Sequence, residues 1–193
     1  MARTKDFDEK DVLSKAVCLF WHKGYNATSM QDLVDHLGIS RSSLYDTYGD
    51  KHTLYLRALD AYQQAGIKRI DDVITKAATA KEAITQLITL FTNEILHDEQ
   101  QKGCFMVNAE IETAPHDTEV NELITKNEQA MEDAFYKVVS HGQKSGDITA
   151  KTDARALARF LMNTVKGIRV SVRSVKDQAY FDDIIDTSLQ VLN

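Results

Sequence analysis

Proline occurs once in this chain, at Pro115, and the eight glycines fall mostly where helical periodicity breaks. Proline removes an intrahelical donor and glycine carries excess backbone entropy, so a chain punctuated this rarely is free to run in helices joined by short turns. No stretch alternates apolar and polar residues at a period of two over a strand's length. The pattern predicts an all-α protein.

The first helix is predicted from Asp8 to Lys23. Val12, Ala16, Leu19 and Phe20 recur at helical spacing with Leu13 and Val17 beside them, and Gly24 is placed to supply a left-handed cap. A short second helix follows Thr28 and Ser29, whose hydroxyls suit capping, and carries Leu33, Val34 and Leu37 up to Gly38. A third opens at Ser40 and ends near Gly49, with Leu44 and Tyr48 turned inward. Asp50 then caps a long fourth helix through Leu54, Leu59, Ile67, Ile70 and Ile74. Further helices are expected at 81–98, 104–112, 118–142, 153–174 and 178–192, between the polar stretches HDEQQKG, APHDT and GQKSGDITAKT. The expected organisation is a three-helix unit over residues 1–51 and a helical bundle over 52–193.

Composition narrows the function. Hydrophobic residues make up 43% and charged residues 27% of the chain, and no apolar run approaches the roughly 18 residues of a membrane span. The opening MARTKDFDEKD lacks the apolar core of a signal peptide, so a cytoplasmic protein away from membranes is expected. The two cysteines, Cys18 and Cys104, have no CxxC or Cys/His ligand spacing around them, which argues against a disulfide framework. A net charge of −6 excludes indiscriminate nucleic-acid binding, which needs a basic surface to displace counterions. Residues 1–51 hold seven Lys/Arg against eight Asp/Glu. Any nucleic-acid contact must therefore come from a few placed side chains.

Those side chains lie between Thr28 and Tyr48, in TSMQDLVDHLGISRSSLYDTY. One short amphipathic helix, a turn on Gly38-Ile39-Ser40 and a second short helix with a small, polar outer face form a helix-turn-helix pattern. A helix entering the major groove needs an anchored apolar side and an exposed side that hydrogen-bonds base edges and phosphates. Leu44 is the expected anchor, with Arg41, Ser42 and Ser43 facing the groove. An arginine forks onto guanine O6 and N7, which makes Arg41 the best candidate for sequence readout. Trp21 and Tyr25 are assigned to the core of the small unit.

From the first helix through GYNATSMQDLVDHLGISRSSLYDTYGDKHTLY the sequence resembles the tetracycline-repressor (TetR/AcrR) family. Thr28-Ser29, Gly38-Ile39-Ser40, Leu44-Tyr45 and Lys51 occupy the places of that family's signature. The resemblance implies phosphate contacts from Ser29, Tyr45 and Lys51 and base proximity for Ser42 and Ser43. Gln31, Arg41, Thr47 and Tyr48 complete the expected DNA-binding set. Lys51 and the free N–H groups of a helix opening at Asp50 also form a plausible anion site. Thr47 stands where the family commonly has histidine, and Asp46 places a carboxylate close to the expected DNA surface, to be turned away or paired with Arg41 or a lysine.

Beyond Tyr62 the reading rests mainly on pattern. Leu157, Leu161, Val165 and Ile168 form an apolar stripe that Phe181, Ile185 and Leu189 extend, and these seven residues are the expected homodimer interface, although part of the stripe must close the subunit's own core. Two heads on a palindromic double-stranded operator reinforce each other, whereas one small domain on a half-site has little affinity. The segment KGCFMVNAEIE places Cys104, Asn108 and Glu112 at four-residue spacing. The helix dipole and Lys102 would favour a thiolate at Cys104, and some members of the family sense electrophiles or oxidants through a cysteine; the alternative, which is favoured, is a small buried residue that packs the helix start. A cavity for a small-molecule effector is expected among Tyr62, Phe91, Met106, Asn108, Phe135 and Met162, with Cys104 as a sensor.

The function expected is a dimeric, sequence-specific transcriptional regulator, a repressor released from its operator by a small molecule or by thiol modification. No Gly-rich phosphate loop, GxSxG elbow or HExxH is present, so no catalytic site and no cofactor is expected. The alternative is a helical metal-binding or scaffold protein without DNA affinity. Glu94 and His97 form one Glu-x-x-His pair, and a di-metal carboxylate site needs two. His97, Cys104 and His116 flank a loop at spacing poorly suited to a metal, so no metal site is expected either.

Overall fold

The computed structural model describes residues 7–96 and 98–193. The first six residues of the expected N-terminal unit, and His97, lie outside it. The described chain is helical with no strand.

Helix α1 (Glu9–Lys23) starts where the Asp8 carboxylate accepts the Lys10 amide proton at 2.8 Å, and it buries Val12, Ala16 and Phe20. Gly24 ends it at φ +85° and ψ 165°, which is extended in ψ, so the expected left-handed cap is not formed. Helix α2 (Met30–Leu37) opens with a reciprocal cap between Ser29 and Asp32. Thr28 does not share that role. Its hydroxyl is buried and donates back to the Gly24 carbonyl at 2.6 Å. Gly38 is left-handed at φ +70° and ψ 26°, Ile39 is buried, and Ser40 caps α3 (Arg41–Tyr48) through the Ser43 amide. Helix α4 (Lys51–Lys76) begins at Asp50, whose carboxylate accepts from the Thr53 amide at 2.7 Å.

Helices α5 (Ala80–Leu96), α6 (Phe105–Glu112), α7 (Thr118–Ser145), α8 (Ala154–Ser171) and α9 (Gln178–Leu189) follow, with 3₁₀ turns at Ala114–His116 and Gln190–Leu192. The largest departure from the sequence expectation is at the end of α7, which passes through Gly142 and stops at the left-handed Gly146. Gly142 serves packing instead of termination. A Cβ there would sit 2.7 Å from both Ala80 Cβ and Ile148 Cδ1. Helix α8 also stops short of residue 174, in a turn made by the Arg173, Ser174 and Val175 amides.

Two apolar clusters hold the fold. One joins α4, α5, α7, α8 and α9. The other joins α1 to α3 and the first half of α4 to Cys104–Ala114, Val120 and Ile124. Packing is therefore continuous across residue 51, and the N-terminal unit rests on α6.

The stripe expected at a dimer interface is placed differently. Leu157, Leu161, Val165, Ile168, Phe181 and Ile185 are buried in the subunit's own core, with Leu189 half-buried against it. A stripe at three- and four-residue spacing must face something, and here α5 and α7 cover it. The outward side of α8 and α9 instead exposes Phe160, Val170 and Tyr180.

Candidate nucleic-acid interface

Leu44 is fully buried, and it fixes which side of α3 faces outward. Arg41, Ser42 and Tyr45 are exposed on that side, and Ser43 and Thr47 are half-buried at its edges. The Ser40 hydroxyl lies 2.9 Å from both the Ser42 and the Ser43 hydroxyls, so three hydroxyls form one hydrogen-bonded group at the start of the helix. Asp46 is exposed, and no ion pair joins it to Arg41 or a lysine among the described residues.

Tyr48 does not belong to this surface. It is 2% exposed, its hydroxyl donates to the Glu9 carbonyl at 3.2 Å, and the Arg57 guanidinium lies over its ring. The inward position read from periodicity is the one it takes, and a side chain enclosed between α1 and α4 cannot reach DNA.

Ser29 and Gln31 are exposed at the start of α2, where Gln31 donates to Asp35 at 2.8 Å. The Asp32 carboxylate accepts from the Ser29 amide at 2.7 Å, from its hydroxyl at 2.6 Å and from Lys23 at 2.7 Å. Hydrogen bonds from Lys23 and then Ser29 hold the Asp32 carboxyl well below the usual carboxylate range. Lys51 is half-buried with its ammonium 4.3 Å from the centre of the Tyr25 ring. Burial lowers its pKa, against the opposing pull of Glu112 and Asp32. One N–H of the α4 start, that of Thr53, is already taken by Asp50.

The helix-turn-helix unit, the head of the molecule, is fastened to α6. The Glu112 carboxylate accepts the Tyr25 amide at 3.1 Å and the Asn26 amide at 2.8 Å, in the turn before α2. Trp21 donates to the Gly103 carbonyl at 3.1 Å and meets the Tyr62 ring edge-on, and His52 lies 2.7 Å from Asp117. Asp117, and the role of Glu112, are features that sequence reading missed, because their contacts lie 65 to 87 residues away along the chain.

Behind the head is a small, partly open cavity of about 50 Å³, among whose lining residues are Tyr62, Phe91, Met106, Phe135 and Met162. Cys104 and Asn108 lie outside it. The Asn108 amide donates to the Lys102 carbonyl and accepts from Arg173, so Cys104, Asn108 and Glu112 point to three different neighbours despite their regular spacing. Cys104 is buried, and its sulfur accepts from Arg169 Nη1 at 3.4 Å and Tyr62 Oη at 3.8 Å. Burial, followed by the adjacent thiol, pushes the Tyr62 phenol up. Lys102, expected to assist the thiol, pairs instead with Asp98 at 2.8 Å and lies over Trp21. Cys18 is exposed and unpaired. Among the described residues no group of His, Cys, Asp and Glu is arranged to hold a metal, and no helix is long and apolar enough to cross a membrane.

Comparison with known proteins agrees with this geometry. Residues 12–58 match the family described as bacterial regulatory proteins, tetR family, and residues 80–187 match the tetracyclin repressor-like C-terminal domain. The chain is 35% identical to the uncharacterized HTH-type transcriptional regulator YezE of Bacillus subtilis, with all of both chains covered. It is 26% identical to the HTH-type transcriptional repressor ComR of Escherichia coli, over 98% of this chain and 90% of that one. Its fold matches a cysteine mutant of the TetR family transcriptional regulator CifR complexed with a 26-bp double-strand operator DNA, with a TM-score of 0.88, 25% identity, and 99% and 100% of the two chains covered. A TetR family regulator from Agrobacterium tumefaciens shares the fold with a TM-score of 0.85 and 23% identity over 95% of this chain and 96% of that one. With a helix-turn-helix whose outward face is open and a helical domain packed behind it, this chain belongs to the TetR family of DNA-binding transcriptional regulators and is not an enzyme.

Proposed function

We propose that the chain is a homodimeric repressor that reads a palindromic operator through α3 and leaves it when a small molecule occupies the cavity behind the head. The Glu112 clamp carries this reading. Helix α6 contributes Met106 and Val107 to the cavity wall at one end and grips the turn before α2 at the other. A ligand that favours one position of α6 thereby favours one position of the reading head, and release follows from its differential affinity for the two states. The names of relatives in Escherichia coli support repression, since ComR and BdcR are both called repressors.

Dimerisation is assigned to the outward face of α8 and α9. Phe160, Val170 and Tyr180 are exposed there, and a Cβ at Gly167 of α8 would meet nothing within 4 Å, which leaves room for close approach of a second copy. The DNA contacts are assigned to Ser29, Gln31, Arg41, Ser42, Ser43, Tyr45, Thr47 and Lys51.

Release by thiol modification is a second trigger, favoured by the Arg169 cation on the Cys104 sulfur. Cys104 is only 1% exposed, so a reagent reaches it only when the start of α6 opens. If a thiol-reactive agent still releases DNA from Cys104→Ser, this cysteine is not the sensor.

The experiment for the main reading is selection of bound genomic fragments with the purified protein, followed by titration of the recovered duplex. The reading expects an inverted repeat and two subunits per duplex. A non-repeated site bound by one subunit contradicts it, and failure to select any sequence leaves the scaffold alternative standing.

A further inference from the structure

The cavity behind the head is apolar on most sides and carries hydrogen-bonding groups that the protein leaves unused. Phe91, Phe135, Met106, Met131, Met162 and Val165 form its walls. Gln63 and Asn127 also line it. Each is 8% exposed, and neither side-chain amide has a hydrogen-bond partner among the described residues. Arg69 Nε and Arg169 Nε are buried without an acceptor and belong to residues of the same lining. Native interiors leave few buried groups unpaired, because each has lost water without replacement. Two buried guanidinium N–H groups, with two nearly buried and unpartnered amides beside them, mark this cavity as a place for a polar ligand group.

The charges specify which kind. Arg69 pairs with Glu94 at 2.6 Å, and Lys166 pairs with Glu110 at 2.8 Å and with Glu128, the carboxylate of the cavity lining, at 3.2 Å. Arg169 has no carboxylate among the described residues. Its guanidinium stacks over Phe91 at 4.4 Å, and its Nη1 donates only to the Cys104 sulfur, a weak acceptor. One uncompensated cation matches a monoanion, and it is too little charge for a phosphate dianion. A metal cation would meet repulsion.

Space sets the size. About 50 Å³ is the share of about two waters, room for a carboxylate head and little more, so any chain must leave the cavity. Ile67, Ile70 and Met131 are shared walls with a larger groove of about 480 Å³ between α4, α5 and α7, which Ile74, Ala83 and Val138 keep apolar. We propose that this cavity binds a small aliphatic monocarboxylate, with its head on Arg169, Gln63 and Asn127 and its chain running past Met131 toward the groove. The inference rests on the effector-release reading and names the chemical class of that effector.

Butanoate and octanoate, with butan-1-ol and butylammonium as neutral and cationic controls, test it on the full-length protein by calorimetry. Both carboxylates are expected to bind, and each control to bind about tenfold more weakly or less. Arg169→Met should weaken butanoate about 10- to 100-fold, the range for losing one charge-assisted hydrogen bond. Asn127→Asp, which adds a negative charge at nearly unchanged volume, should do the same, and its circular dichroism establishes that it folds. Equal binding of butan-1-ol and butanoate by the wild-type protein, butanoate affinity unchanged in Asn127→Asp, or no binding of either carboxylate overturns the proposal. An operator titration run alongside separates the two readings. Carboxylate binding that leaves operator affinity unchanged keeps the site and removes the release mechanism, whereas operator release by other small molecules with no carboxylate binding does the reverse.

Discussion

The Glu112 carboxylate at the end of α6 takes the Tyr25 and Asn26 amide protons at 3.1 and 2.8 Å, tying the turn that precedes α2 to the helix that walls the cavity. Gly24 lies beneath this clamp at φ +85°, and a Cβ there would sit 3.0 Å from Glu112 Oε2. The positive φ favours glycine, and a larger residue would also press on the Glu112 carboxylate.

Removing the clamp should cost stability and, more tellingly, communication. Glu112→Ala is expected to destabilise the protein by about 1.5–3 kcal/mol, the range for hydrogen bonds to a charged group, as measured by urea unfolding. Its operator affinity without effector should stay near wild type while the effector's influence on that affinity shrinks. Full effector response in Glu112→Ala would place the coupling elsewhere.

Lys51 tests the phosphate contacts. Lys51→Ala should weaken binding on all duplexes alike and reduce the slope of log affinity against log salt by about one. An unchanged slope would mean that the ammonium over Tyr25 only packs the head.

Phe160 tests the dimer surface. It is exposed on the outward side of α8, so Phe160→Glu should leave the subunit folded, with unchanged circular dichroism, while shifting it from dimer to monomer in sedimentation. A dimer of unchanged stability would exclude this face.

Asp32 makes the head sensitive to acid. Its carboxyl is depressed in the folded chain by Lys23 and Ser29, so the folded state binds fewer protons than the unfolded one as pH falls past the unfolded value of about 3.9. The stabilisation is present above that value and is lost as pH drops through the lower, folded one. Asp32→Asn should therefore reduce stability at pH 7 and show a smaller further loss on moving to pH 3, read from urea midpoints. Identical pH profiles would remove Asp32 from the acid response.

Much of this was legible before the fold was known, and for local reasons. Ser29, Ser40 and Asp50 mark helix starts because capping is a contact between near neighbours, and Leu44 faces inward because periodicity reports burial. Periodicity does not report what covers a buried stripe. Leu157, Leu161 and Val165 could have met a second copy or their own α5 and α7, and they meet the latter. Tyr48 illustrates the same limit from the other side, since its spacing placed it in the core while its neighbours in the motif placed it at DNA. Glu112 was visible only by its spacing from Cys104 and Asn108, and nothing in the sequence named its partners, which lie 86 and 87 residues away. Asn127 did leave one: it occupies the inward register of α7 with Val120, Ile124, Phe135 and Val138, where a polar residue is out of place unless something polar meets it.

Whether α3 reads sequence through Arg41 is decided by the ratio of two affinities. Wild-type protein and Arg41→Ala are each titrated against the selected operator and against the same duplex with one half-site base pair changed. The wild type should discriminate by about 1–3 kcal/mol, and Arg41→Ala should lose this discrimination. Equal weakening of Arg41→Ala on both duplexes, with the ratio preserved, would contradict it and make Arg41 a phosphate contact.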